Sequence, residues 1–233
     1  RLQSDADCKT ETWLNGYRLL GGEIFCSDGC SNCCSLAVNC TWPESLCISD
    51  SLPADCAIRL SSHVEGLKAI ITKAVDFKSF LKMHRQQIGF CPFLDKDSCS
   101  IYADRPFSCR SLLATKESSW CGADFGMMTS EAKRLFIESL DREIVALPTH
   151  YVAATQEIGQ NLETEVSAMM REKFGFSLYG NLPLMVMLNK EFGFQETINK
   201  GYAETIDFLE RHMLNHPYLV SLSGFAANDN KEF

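Results

Sequence analysis

Cys26-Ser27-Asp28-Gly29-Cys30-Ser31-Asn32-Cys33-Cys34 places four cysteines in nine residues, and the reading of the whole chain turns on it. A second group follows with Cys91-Pro92-Phe93-Leu94, Cys99, Cys109-Arg110 and Cys121. Thiols set this densely share one small volume, and a soft metal ion or an iron–sulfur cluster satisfies several thiolates at once. Asp28-Gly29 and Ser31-Asn32 are turn formers, suited to a tight loop whose backbone amides face bound charge. The step from Cys30 to Cys33 is a C-x-x-C step, which folds two sulfurs to one side of a turn. Cys33 and Cys34 are adjacent, so one ligates while the other packs, or both serve a multi-iron cluster or two neighbouring sites. The second group has steps of eight, ten and twelve residues, so its sulfurs meet only through tertiary folding.

The alternative is a disulfide framework, which an even total of twelve cysteines permits. Secreted scaffolds use bridges because they lack a core. A chain of 233 residues with 45% hydrophobic residues does not lack one. All twelve cysteines fall within the first 121 residues. Cys40, Cys47 and Cys56 read as buried thiols and Cys8 as an exposed one. The metal reading therefore takes Cys26, Cys30, Cys33, Cys34, Cys91, Cys99, Cys109 and Cys121 as ligands. Iron–sulfur is preferred and zinc is the alternative, because neither motif contains histidine.

The net charge of -8 argues against nucleic acid as a partner, since phosphate binding relies on a surplus of Lys and Arg. No apolar run approaches the ~18 residues of a membrane-spanning helix, so no membrane partner is expected and the location is taken as cytoplasmic.

The fold expected is mainly α, with a cysteine-rich, loop-rich metal-binding half (1–126) packed with a helical half (127–233) as one continuous globule. Residues 1–25 carry weak signals and end in a Gly21-Gly22 turn. Thr41-Trp42-Pro43-Glu44-Ser45 reads as a helix start. Residues 64–84 read as an amphipathic helix interrupted near Asp76. Asp95-Lys96-Asp97-Ser98 reads as the turn of a short hairpin. Thr129 or Ser130 caps a helix whose stripe runs from Ala132 through Phe136, Leu140 and Ile144 to Leu147. Further helices are expected over 151–174, 182–192 and 198–213, and a frayed tail over 226–232.

The combination of Cys26, Cys30, Cys33 and Cys34 with Cys91-Pro92-Phe93-Leu94, Cys99-Ser100-Ile101-Tyr102 and Arg105-Pro106-x-x-Cys109-Arg110 resembles the YkgJ-type cysteine-cluster proteins, the zinc- or iron-chelating CxxCxxCC domain family. The resemblance covers residues 22–121, and the step from Cys26 to Cys30 is one residue wider than the family's name gives. Some members resemble flagellin lysine N-methylases, so the resemblance implies an iron–sulfur cluster and an iron–sulfur-dependent protein (lysine) methyltransferase acting on a protein substrate. S-adenosylmethionine is implied by the resemblance alone, since no Gly-rich nucleotide fingerprint follows a strand. The alternative is a non-catalytic zinc- or iron-binding interaction module.

Three other residues are catalytic candidates. Tyr102 is a radical or acid/base candidate, with a packed aromatic as the simpler reading. Arg105 and Arg110 flank Cys109, where they serve thiolates or an anionic substrate, or else pair with Asp95, Asp97 or Asp104. The five histidines are scattered, and only His212 and His216 sit four apart, near a helix end. Met169, Met170, Met185 and Met187 read as core.

Overall fold

A computed structural model describes residues 2–27, 29–52 and 56–224. Asp28 of the first cysteine turn and the tail at 226–232 lie outside the described residues. The described residues are mainly helical, with eleven α-helices and only small sheets. None of these helices is long and apolar enough to cross a membrane.

The chain opens with α1 (Leu2–Leu19), in a region whose sequence shows no helical stripe. Only Ala6 and Leu14 of α1 are buried, so an apolar pattern is absent. Local pairs hold it instead: Lys9 meets Asp5 at 2.6 Å one turn apart, and Trp13 stacks on Tyr17 at 5.0 Å. A 3₁₀ turn at Asn32–Ser35 and strand β1 (Asn39–Thr41) lead into α2 (Trp42–Ser51). The expected start of α2 is a capping box: Glu44 Oε2 accepts from Thr41 N at 2.8 Å and from Thr41 Oγ1 at 2.7 Å.

The helix expected over 64–84 is two helices, α3 (Cys56–Ile71) and α4 (Phe77–Met83). The break falls where Asp76 caps α4, its carboxylate accepting from Ser79 N at 2.7 Å. The hairpin β2 (Leu94–Asp95) and β3 (Ser98–Cys99) is present. Lys96 and Asp97 take φ of 47° and 64°, the left-handed backbone that a two-residue hairpin turn requires.

Two one-turn helices follow, α5 (Phe107–Arg110) and α6 (Ser119–Gly122). Helix α7 (Ser130–Glu138) is capped by Thr129 as expected, but it stops short of Leu147. Leu140 and Val145 still enter the core, from a turn closed by Val145 N donating to Asp141 O at 3.0 Å. Helix α8 (Ala153–Phe174) ends at Gly175, whose φ of 81° suits a residue without a Cβ.

Strand β4 (Phe176–Asn181), α9 (Leu182–Phe192), α10 (Phe194–Asn199), α11 (Tyr202–Arg211) and β5 (Val220–Gly224) complete the described chain. The single helix expected over 198–213 is divided between α10 and α11, because Gly201 takes φ of 104° and breaks the run.

Two compact units divide the chain. The first takes residues up to 36 and 93–162, and the second takes 37–92 and residues from 163 on. The division expected at residue 126 follows cysteine content, whereas each unit is assembled from two separate stretches of chain.

In the second unit, α2 and α3 pack on α9, and every residue of α9 from Leu182 to Leu188 is buried. Each fully buried Leu or Val contributes ~1.5–3 kcal/mol relative to exposure, so this helix is the core of its unit. Met170, Met185 and Met187 join that core as expected, while Met169 is exposed. An antiparallel sheet in the order β1-β4-β5 borders it. Cys40 and Cys56 are buried in this unit, and Cys47 is exposed rather than buried.

In the first unit, one apolar cluster joins Ala114, Cys121 and Tyr151 with Cys33, Leu36 and Leu112. A neighbouring one joins Phe136, Leu140 and Val145 with Trp120 and Phe125.

Candidate metal centre

Residues 25 and 26 run beside residues 112–114 of the first unit. Phe25 N donates to Ala114 O at 2.9 Å, and Ala114 N donates to Cys26 Sγ at 3.2 Å. Cys26 is exposed as a residue, yet its sulfur faces this backbone rather than water. Partial desolvation pushes its thiol up, Ala114 N–H and Arg105 oppose the rise, and Cys33 and Cys30 add to it.

The chain then turns at Gly29, whose φ is 79°, and Cys30 N closes the turn on Ser27 O at 3.2 Å. Ser31 Oγ donates to Asp97 Oδ1 at 2.8 Å, which ties this loop to the tip of the β2–β3 hairpin. Cys33 and Cys34 occupy the 3₁₀ turn. The Cys33 thiol hydrogen-bonds Cys34, and that bond, then burial, then the Cys34 charge, push it well above the usual thiol range.

Helix α6 packs on the same 3₁₀ turn and brings Cys121 into the cluster with Cys33. Burial pushes the Cys121 thiol up to about 11; a hydrogen bond with Tyr151 opposes the shift, while Cys26, Cys33 and Cys30 add to it. Burial, followed by Cys121, pushes the Tyr151 phenol up as well. On the other side of Cys121, its sulfur stands 3.2 Å from His150 Nε2. Cys99, carried on β3, is pushed up by burial and then by Cys33, with Ile101 N–H and Arg105 opposing. Cys33 is thus the sulfur that Cys26, Cys99 and Cys121 all feel. An open, polar hollow of about 270 Å³ lies at this loop, with Cys30, Asn32 and Ser118 in its wall.

Two further expected ligands are Cys109 and Cys91. Cys109 lies half-buried in α5 of the first unit. Cys91 belongs to the second unit, just beyond the π-helical turn His84–Ile88.

Arg110 pairs with a carboxylate other than Asp95, Asp97 or Asp104. Arg110 forms a two-pronged pair with Asp7 of α1, both carboxylate oxygens at 2.9 Å from Nη1, and also donates to Arg105 O and Ala103 O. Asp7 is far in sequence from the three carboxylates that sequence proximity favours, so this pairing is set by the docking of α1 on α5. Arg105 lies with its guanidinium 3.7 Å from the centre of the Tyr102 ring, and its charge favours the thiolates of Cys26, Cys33 and Cys99. Tyr102 is 47% exposed and serves as the platform under that cation.

None of the twelve cysteines, all among the described residues, is in a disulfide. Cys26, Cys30, Cys33, Cys99 and Cys121, with Arg105 as a nearby cation, make a soft, sulfur-rich donor set that fits zinc or iron–sulfur by its chemistry. In its present geometry the set is open. Among the described residues, no group of three or more His, Cys, Asp or Glu side chains is arranged to hold a metal ion.

His150 and Tyr151 are the site residues that sequence reasoning missed. Neither has a cysteine at ligand spacing, and the pairing with Cys121 spans 29 residues. The one available signal is that a His-Tyr pair follows a Pro-Thr turn in a cysteine-rich chain. Comparison with protein-family models, with curated proteins and with solved structures finds no match to this chain.

Proposed function

We propose that this chain is a soft-metal-binding cysteine-cluster protein whose first unit holds an iron–sulfur cluster, with zinc as the alternative occupant. One observation carries the reading: Cys30 and Cys33 of the first motif both push up the ionisation of Cys26 beside them and of Cys121 on α6. Protonated thiols gathered this way gain by exchanging protons for a cation that neutralises several sulfurs together. A reducing, cytoplasmic setting belongs to the same proposal, since thiols stay unbridged there.

Protein side-chain modification, with lysine N-methylation as the named case, extends the proposal through the family resemblance, and S-adenosylmethionine enters only on that ground. The second reading, a non-catalytic metal-binding module, is favoured by one observation: Tyr102, Arg105 and Arg110 are all engaged in structural contacts.

The test is metal and acid-labile sulfide content of anaerobically prepared protein, read with its absorption spectrum. Iron with sulfide and a brown charge-transfer band supports the cluster, and zinc without sulfide supports the alternative. Protein without either metal that takes up neither on reconstitution overturns the proposal.

A further inference from the structure

We propose that helix α4 and the turn before it form a docking surface for an anionic lipid bilayer, with lysines meeting the headgroups and apolar side chains entering beneath them. The surface belongs to the second unit, so this inference and the metal reading of the first unit stand or fall separately.

Charge is the first argument. Residues 68–90 carry Lys68, Lys73, Lys78, Lys82 and Arg85 against one acid, Asp76, a net of +4. The whole chain is at -8, so everything outside this stretch carries -12. A basic patch therefore stands on an otherwise acidic molecule, and it attracts anionic surfaces locally. Lys68 pairs with Glu65 at 3.0 Å, whereas among the described residues no ion pair takes Lys73, Lys78 or Lys82. All three of these lysines are exposed.

Placement is the second argument. Phe80 and His84, one turn apart on α4, are buried, and Tyr218 packs on Phe80 at 5.2 Å. Phe77 and Leu81 form the next row, 56% and 39% exposed, and Lys78 and Lys82 form the row beyond it. Val75 is 90% exposed, and its N–H donates to Ser79 Oγ at 3.0 Å, which ties it to the first turn of the helix. The buried row holds the element in place while apolar and basic rows stand side by side on its outer surface.

The occupant follows from the kind of cation and from the shape. Protein–protein interfaces favour arginine and are depleted in lysine. A bilayer offers diffuse charge with no fixed geometry, which flexible ammonium groups match. A valine as exposed as Val75 projects outward instead of lining a groove, so it suits a fluid phase better than a shaped partner. An element of seven residues lies on such a surface and has no need to cross it.

Co-sedimentation of the full chain with lipid vesicles is the test. Vesicles of phosphatidylcholine with about a third phosphatidylglycerol are set against phosphatidylcholine alone. The chain is expected to bind the mixed vesicles and not the neutral ones, and about 0.5 M salt releases it. Each lysine near an anionic surface is worth roughly fivefold in partition, so Lys73→Gln, Lys78→Gln and Lys82→Gln together weaken binding by about a hundredfold. Val75→Ser leaves the charge unchanged and weakens binding by about tenfold. These side chains are exposed, so the circular dichroism of both variants is expected to match the wild type. Absence of binding to the mixed vesicles overturns the proposal, as does binding that survives the triple replacement or is equal on neutral vesicles. Binding that needs the lysines but is unchanged in Val75→Ser overturns the apolar entry that the proposal requires. Should the chain ignore both vesicles and bind poly-glutamate through the same lysines, the surface serves an acidic protein and the lipid assignment is overturned.

Discussion

Cadmium affinity of the metal-free protein is expected to climb steeply with pH, and the slope counts thiols. Four of the clustered thiols, Cys26, Cys33, Cys99 and Cys121, have their ionisation pushed above the ordinary thiol value, chiefly by burial and, for Cys33, by its bond to Cys34. Each stays protonated through neutral pH, and each must release its proton to ligate. A site using Cys26, Cys33 and Cys121 therefore releases about three protons, and log K rises by about three for each pH unit. The sign follows from competition: protons and cadmium contend for the same sulfurs, so affinity is lost as pH falls. Ordinary thiols begin to flatten this dependence near their own pKa of about 8.5, whereas the raised ones carry it on to about pH 9. Competitive titration followed at the thiolate-to-cadmium charge-transfer band, from about pH 7 to about pH 9, measures it. A slope near one, or a plateau beginning at about pH 8, refutes the reasoning.

Stability of the metal-free protein should fall on the alkaline side for the same reason. The Cys121 thiol is raised in the folded state to about 11, so its contribution is complete below the unfolded thiol value and is lost as pH climbs toward 11. Each such thiol costs up to about 1.4 kcal/mol per pH unit in that window, to be read from urea unfolding midpoints at successive pH values, and a flat profile contradicts the burial of the cluster. Gly159→Ala should destabilise even though it replaces glycine within a helix. The added Cβ would lie 2.7 Å from Ser111 Oγ, 2.8 Å from Ser111 Cβ and 3.2 Å from Phe107 O. Overpacking of about 1–3 kcal/mol set against a helix-propensity gain of about 1 kcal/mol leaves a net loss of up to about 2 kcal/mol by chemical denaturation. Leu67→Ala in α3 removes a fully buried side chain from the second unit and is expected to cost about 2–5 kcal/mol in the same assay. A loss below about 1 kcal/mol there contradicts the packing of that core.

Features encoded locally were legible in the sequence. The capping box at Thr41 and Glu44, the break at Asp76 and the stop at Gly175 each rest on side chains within four residues of the event. The hairpin around Lys96 and Asp97 is equally local, and so is the stripe of α8.

Features that depend on distant partners were not legible. Strand β1 is three residues long and β4 contains Gly180, so neither shows a strand period; β1 forms through pairing with β4, and β4 is paired on both sides, by β1 and β5. Helix α1 lacks an apolar stripe and is held partly by the Asp7–Arg110 pair across 103 positions. Cys33 of the first motif raises the ionisation of Cys99 and Cys121 from the second, a proximity across long stretches of chain that only tertiary packing sets.

X-ray absorption at the metal edge of anaerobically purified protein tests the central claim most directly. Direct ligation by the clustered cysteines predicts a metal–sulfur shell at about 2.3 Å, lost when Cys33 and Cys121 are both replaced by serine. A first shell of oxygen and nitrogen alone, or a sulfur shell that survives the double replacement intact, contradicts it.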